Sequence, residues 1–387
     1  MIYRRTVAAI AVIAVAGLSL ASCSSSSTSP GSGGSTVSPS ATTTASSSGI
    51  ATAKALVAKI SVAPTGITES TPLTRKPPHK TVGFVVCPTG CSVSLPYLQS
   101  AIKAIGWTLK TANATESDPG AAFQSLIDSG VNYIYEIGFA INQFPSQAAE
   151  LKAKKIPLFE VDATDTPEGP ANDVYSSAYG VSTAQAYGAG LADWVIANSN
   201  GNANVVILDI PAIQILAAQA NAGQAQIEKL CPACKVTELP ISVTQLQSGA
   251  IPGVLTTYLQ THTAVNYVWN AFPGIDNTGV QKSVKAAGSK AKIVGTNAGQ
   301  PQLQEIISGT EAAWSVVGDN SVGPWQAVDQ MARLAIGQWT LADAQRSDAA
   351  SLWYVLSSAA QARAIVKDPF WLGPVGYKSA YEKLWGV

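Results

Sequence analysis

From Thr81 onward, short β-branched runs alternate with amphipathic helical runs, and this alternation narrows the fold more than any other feature of the chain. Repeated strand-then-helix units predict a parallel sheet with helices on its faces, an α/β architecture. The strand candidates are 81–86, 107–111, 133–137, 157–161 and 174–181, then 205–208, 236–239, 265–269, 293–294 and 313–317. Leu95, Leu98, Ile102 and Ile105 fall on one face of the first helix after Thr81. A second series opens near residue 180, where Ala184, Tyr187, Gly188, Leu191 and Val195 share a helical face. Two consecutive series of this length imply two lobes, because single cores stop growing at about this size. Right-handed crossovers bring all strand C-termini of a lobe to one edge, so the turns after the strands line a cleft where two such edges meet.

The N-terminus reads differently. Arg4 and Arg5 precede an apolar run over 7–21, too short for a membrane span, which ends in Leu20, Ala21, Ser22 and Cys23. These are the features of a secretory signal, and the final tetrapeptide resembles the bacterial lipobox. That resemblance implies cleavage and acylation at Cys23, with the alternative of an ordinary signal peptide and an incidental cysteine. Residues 24–49 are almost wholly Ser, Thr, Gly, Ala and Pro. They bury too little apolar area to offset the entropy of ordering, so they read as a tether. A flexible coil of that length spans about 25–30 Å. A short helical stretch near 51–60 and a Pro- and Thr-rich lead-in to Pro78 come before the first strand.

Composition removes several function classes. Lysines plus arginines equal aspartates plus glutamates at 24 each, so there is no basic excess to displace counterions from nucleic acid. The chain has two histidines, no His-Glu-x-x-His, no Gly-x-Ser-x-Gly and no phosphate loop. No cofactor or metal is implied, and an enzyme is not expected. Gly188 and Gly190 lie inside a helix, where they permit close packing. Four cysteines follow Cys23. Cys87 with Cys91 and Cys231 with Cys234 are each close enough to bridge locally, and export permits it. The second pair also has the spacing of a redox or zinc motif. Its position after a helix and before a strand favours a structural clip.

Several segments carry a resemblance when taken in order: 81–86 (TVGFVV) with 104–107 (AIGW), 153–162 (AKKIPLFEVD), 178–192 (AYGVSTAQAYGAGLA), 292–297 (KIVGTN) and 309–317 (GTEAAWSVV). Over about 76–338 the chain resembles the ribose-like family of solute-binding proteins, which have the type I periplasmic-binding fold. The resemblance implies two lobes, each a parallel sheet flanked by helices, around an interlobe cleft. Lobe one would take 77–178 plus about 319–338. Lobe two would take 179–318 plus part of 339–387, with 1–23 as signal and 24–49 as tether. The tail beyond 340 lies outside the resemblance. Within it 353–356 reads as a strand and 374–385 as an end-packing segment.

The resemblance also implies site residues. Asp162 ends its strand where the family has a ligand carboxylate, which accepts hydrogen bonds from hydroxyls. A turn cap is the alternative. Asn297 stands where the family usually has aspartate. Asn221 is near the family's ligand arginine, with Gln219 as the competing alignment. Asp319, or Asn320 beside it, sits at an interlobe crossing. The loop after the first strand lacks the ring that sugar binders often place there, so Phe139 and Phe272, which follow strands, are the candidates to replace it. The few charges in this set point to a neutral, sugar-like solute. The expectation is therefore a lipid-anchored, monomeric receptor on the outer face of the cell membrane, delivering solute to an ABC-transporter permease. A sensor reporting to a membrane receptor and a secreted hydrolase are the alternatives.

Overall fold

The computed structural model describes residues 47–87, 91–115 and 118–387. The signal, Cys23 and nearly all of the tether lie outside the described residues. Helix α1 (Ser47–Ile60) comes first, followed by an extended lead-in to β1 (Thr81–Val86). Then follow α2 (Leu95–Ile105), β2 (Thr108–Asn113), α3 (Gly120–Asp128), β3 (Tyr133–Ile137), α4 (Pro145–Lys154), β4 (Leu158–Val161) and β5 (Val174–Ala178). These strands form a wholly parallel sheet in the order β2-β1-β3-β4-β5. Its inner strands are buried on both faces, as β-branched runs between two helical layers must be. Tyr133, Tyr135 and Ile137 meet α2 on one face, while Ile134 lies with Phe123, Leu126 and Leu151 of α3 and α4 on the other. The edge strand β2 carries Lys110 and exposed threonines, which discourage edge-to-edge pairing.

Several strand ends shift by one to three residues from the sequence reading, and two of the shifts have a clear local cause. Trp107 closes helix α2 instead of opening β2, its N–H donating to the Ile102 carbonyl at 2.9 Å. Gly106 before it takes the left-handed conformation (φ 77°) that lets the chain leave the helix. The run 174–181 stops at Ala178, because Tyr179 (φ 57°) turns the chain into the second lobe.

The second lobe begins with α5 (Val181–Ser199), β6 (Asn204–Asp209), α6 (Gln214–Leu230), β7 (Lys235–Pro240), α7 (Val243–Gln247), α8 (Ile251–Thr261) and β8 (Tyr267–Asn270). It continues through α9 (Pro273–Asp276), α10 (Val280–Ala286), β9 (Lys292–Gly295), α11 (Gln300–Ser308) and β10 (Ala313–Val317). Helices α12 (Gly323–Ala335) and α13 (Leu341–Ala349) return to the first sheet. Strand β11 (Trp353–Leu356) joins the second, followed by α14 (Ala359–Ile365) and α15 (Tyr377–Trp385). The second sheet has the order β11-β10-β9-β8-β6-β7, parallel except for β11. Helices α5 and α6 pack closely because Gly188 has no side chain. A Cβ there would stand 2.3 Å from the Gln219 carbonyl oxygen.

Among the described residues the chain passes between the lobes five times. It does so over 61–80, at 179–181, at 318–322, at 350–352 and over 366–376. Helix α1 is buried on the second lobe through Ala53, with Ile50, Val57 and Ile60 around it. The lead-in then binds the first lobe, where Leu73 N–H donates to Leu384 O at 2.8 Å and Arg333 donates to Thr71 O at 2.7 Å. At the other end, Gln300 N–H donates to Pro369 O at 2.8 Å, and the Phe370 ring lies 5.8 Å from that of Tyr97. This last segment thus touches a helix N-terminus on each lobe. Trp385 stacks on Trp325 with ring centroids 5.3 Å apart and planes within 8°. An apolar cluster continues from α2 and α12 of the first lobe into β10, β11 and α11 of the second.

Candidate functional site

Both sheets direct their C-terminal strand ends toward one region. Asp162 follows β4, Asn297 follows β9, and Asp319 lies in the crossing after β10. Asp162 and Asn297 both hold left-handed backbone angles, φ 56° and 63°. Asp and Asn enter that region more readily than other side chains, and here it lets a strand end in a sharp turn. Asp162 N–H donates to Ala178 O at 3.1 Å, and Asn297 N–H donates to Ser315 Oγ at 3.2 Å.

The three side chains converge. Asn297 Nδ2 donates to Asp319 Oδ2 at 2.8 Å. Asp319 Oδ1 accepts from the Asn320 N–H at 2.7 Å and from Asn320 Nδ2 at 3.0 Å. The Asp162 and Asp319 carboxyls hydrogen-bond to each other. From the first lobe, Ser94 Oγ donates to Asn320 Oδ1 at 2.7 Å. Across the cleft, Thr164 Oγ1 donates to Gln214 Oε1 at 2.9 Å.

Burial pushes both carboxyls above the usual carboxylate range. Asp162 moves well up, because Asp319 and then Glu136 add like charge to its burial. The rise at Asp319 is opposed by hydrogen bonds from Asn320 and Asn297. Of the coupled pair, Asp162 is thus the acid pushed further up, and Asp319 the one its hydrogen bonds hold back. Three tyrosines stand near enough to feel these charges. Burial, then Asp162 and Asp319 among the neighbouring acids, raises Tyr135, Tyr179 and Tyr187 well above the usual phenol value. Tyr179 Oη accepts from Leu352 N–H at 3.2 Å, whereas the buried Tyr135 hydroxyl has no hydrogen-bond partner.

The remaining sequence candidates lie apart from this cluster. Phe139 is buried in the first-lobe core near Phe123 and Phe144, and its N–H donates to Glu136 Oε2 at 2.8 Å. Phe272 is half-buried and lies over Gly274 at the start of α9. Asn221 is exposed on α6. Its competitor Gln219 is buried, donating to Ala271 O and, at 2.8 Å, to Thr296 Oγ1, which ties the ends of β8 and β9 together. The tyrosines, Ser94, Thr164 and Gln214 were not singled out as site residues from sequence. Tyr187 had a legible position on the buried face of α5.

Cys87 with Cys91, and Cys231 with Cys234, lie at disulfide distance, the Cα atoms 5.3 Å apart in each pair. Among the described residues no group of three His, Cys, Asp or Glu side chains is placed to hold a metal ion. No helix among them is long and apolar enough to cross a membrane.

No family model matches the chain, and no curated protein sequence matches it. Solved structures do. A carbohydrate transporter from Acidothermus cellulolyticus, in complex with myo-inositol, matches with a TM-score of 0.61 and 16% identity, over 79% of this chain and 100% of that one. An ABC sugar transporter subunit from Rhodobacter sphaeroides matches at 0.60 and 19% identity, over 72% and 98%. An ABC transporter solute-binding protein from Agrobacterium vitis, bound with alpha-D-tagatopyranose, matches at 0.61 and 14% identity, over 76% and 100%. Two sheets with facing strand ends, joined by repeated crossings and matched over nearly the full length of these structures, give the chain the two-lobed type I periplasmic-binding fold.

Proposed function

We propose that the chain is a solute receptor that captures a small, hydroxyl-rich, sugar-like molecule between its lobes and delivers it to an ABC importer. The observation that carries this reading is the meeting of Asp162, Asn297 and Asp319 from the first lobe, the second lobe and the crossing between them. A ligand touching all three is held fully only when the lobes are together, so its binding energy favours closure. The acids hydrogen-bond directly, whereas a retaining glycosidase separates its two carboxyls by about 5 Å with the sugar bond between them. That contact supports binding over hydrolysis. The fold neighbours are binding proteins for sugars and polyols, which supports the same solute class.

The anchor belongs to the same reading. With Cys23 acylated and residues 24–49 as tether, a monomeric receptor works at the outer face of the cell membrane with both local cysteine pairs oxidised. Two or more acyl chains hold a protein stably where one does not. Native mass spectrometry of the freshly purified protein tests the function. A co-purifying sugar or polyol, displaced on unfolding, is the expected result, and a bound peptide or nucleotide in its place overturns it. Cys23→Ala should leave unprocessed precursor or release the protein to the medium. Normal processing and lipid labelling of that variant would refute the anchor.

A further inference from the structure

We propose that the solute carries an amino group, held as an ammonium between Asp162 and Asp319, so that the cleft prefers an amino sugar or amino polyol to its neutral counterpart. The inference rests on the reading of the cleft as a sugar-type site. Two carboxyls that hydrogen-bond to each other share one proton between them. Asp319 already accepts three N–H bonds, from Asn297 Nδ2 and from the backbone and side-chain nitrogens of Asn320, so the shared proton sits on Asp162. Among the described residues no ion pair includes either acid. The titratable groups facing them are Glu136 from β3 and the phenols of Tyr135, Tyr179 and Tyr187. None of these supplies a positive charge.

A second observation points to the same ligand chemistry. The Tyr135 hydroxyl is completely buried, feels the charge of both acids and has no hydrogen-bond partner. Two carboxyls and a phenol oxygen make three acceptors, and an ammonium has three N–H donors to offer. A sugar hydroxyl has one. When the ammonium enters, the proton on Asp162 leaves to solvent, and the pocket exchanges one positive charge for another. A neutral sugar provides no replacement, so the acid pair must keep its proton.

Calorimetry on the full chain tests this with D-glucosamine against D-glucose, D-galactosamine against D-galactose, and an amino-deoxy inositol against myo-inositol. Measurement in two buffers of different ionisation enthalpy counts protons. The favoured amine should bind about 10-fold or more tighter than its neutral partner, since charge-assisted bonds replace a neutral one. It should release about one proton as it binds. Asp319→Asn should abolish both the preference and the proton release, with circular dichroism checking that the variant is folded. Equal or tighter binding of the neutral member overturns the amine inference and leaves the sugar-receptor reading standing. Failure of every member to bind the folded wild-type protein overturns both.

Discussion

Arg333→Met tests whether the lead-in strap and the C-terminal helix are held to the first lobe through one buried charge pair. Arg333 is 3% exposed and grips Asp329 with two bonds, at 2.7 Å from Nε and 3.2 Å from Nη2. The same Nη2 donates to Thr71 O at 2.7 Å and lies 3.7 Å from Glu69, both on the strap. Asp329 is 1% exposed and also accepts from Trp385 Nε1 at 2.9 Å. Methionine fills much of the volume but leaves Asp329 as an unpaired buried acid. Breaking a buried pair from one side costs about 3–5 kcal/mol, a large share of the roughly 5–15 kcal/mol that holds a protein folded. The loss should depend on pH. Burial raises Asp329 and Arg333 lowers it, so without Arg333 its folded value climbs further above the unfolded one. A group raised in the folded state stabilises below its unfolded pKa and loses that contribution as pH rises through the folded value. The deficit should therefore be larger at about pH 8 than at about pH 5. Urea unfolding followed by tryptophan fluorescence measures both effects, with Trp325 and Trp385 stacked at the affected site. The double variant Arg333→Met with Asp329→Leu removes the orphan charge and should recover about half of the loss or more. A deficit under about 1 kcal/mol, independent of pH, would show that packing alone holds the strap.

Three further outcomes follow from the same geometry. Burial pushes Asp173, Asp193 and Asp209 up to about 6 and Asp348 up to about 7, so stability should fall as pH rises from about 4 to 7. Calorimetric melting should accordingly give a higher Tm at mildly acidic than at mildly alkaline pH, and the reverse order would contradict it. Gly188→Ala places a methyl group 2.3 Å from the Gln219 carbonyl, which should force α5 from α6 and cost about 1–3 kcal/mol or more; an unchanged midpoint in urea would show that the two helices do not need this approach. Alkylation of unfolded, unreduced exported protein should find no free thiol at Cys87, Cys91, Cys231 or Cys234, and labelling before reduction would break the structural-clip reading.

Much of the fold was legible because each sheet is buried on both faces. Strands such as 133–137 and 205–208 then read as dense apolar runs set between helical periods, which few other structures produce. Asp162 was legible from its own position only as a turn residue after a strand, its ligand role coming from the family resemblance. Asn221 and Gln219 show where such reading fails. Residues two apart on a helix point to different sides, so a two-residue shift in alignment moves a side chain from the buried sheet ends to solvent. The segment 374–385 was legible as an end-packing one, but what it packs on was not, because its partners are remote in sequence. Trp385 against Trp325 and Phe370 against Tyr97 are tertiary contacts with no local period to announce them. The tyrosines around the acid pair were hidden similarly. Tyr135 looks like any core aromatic until the structure shows its buried, unpartnered hydroxyl within range of the charges on Asp162 and Asp319.

Titration calorimetry on wild type, Asp162→Ala and Asn297→Ala, using the tightest-binding solute from the sugar and amino-sugar series, tests the interlobe site most directly. Each side chain belongs to a different lobe, and a hydrogen bond to a charged group, as Asp162 becomes once an ammonium displaces its proton, is worth about 1.5–3 kcal/mol. Asp162→Ala should weaken binding about 10- to 100-fold, and Asn297→Ala should weaken it in the same direction, with both variants still folded. Unchanged affinity in both folded variants would contradict the account and place the solute away from the meeting point of the two lobes.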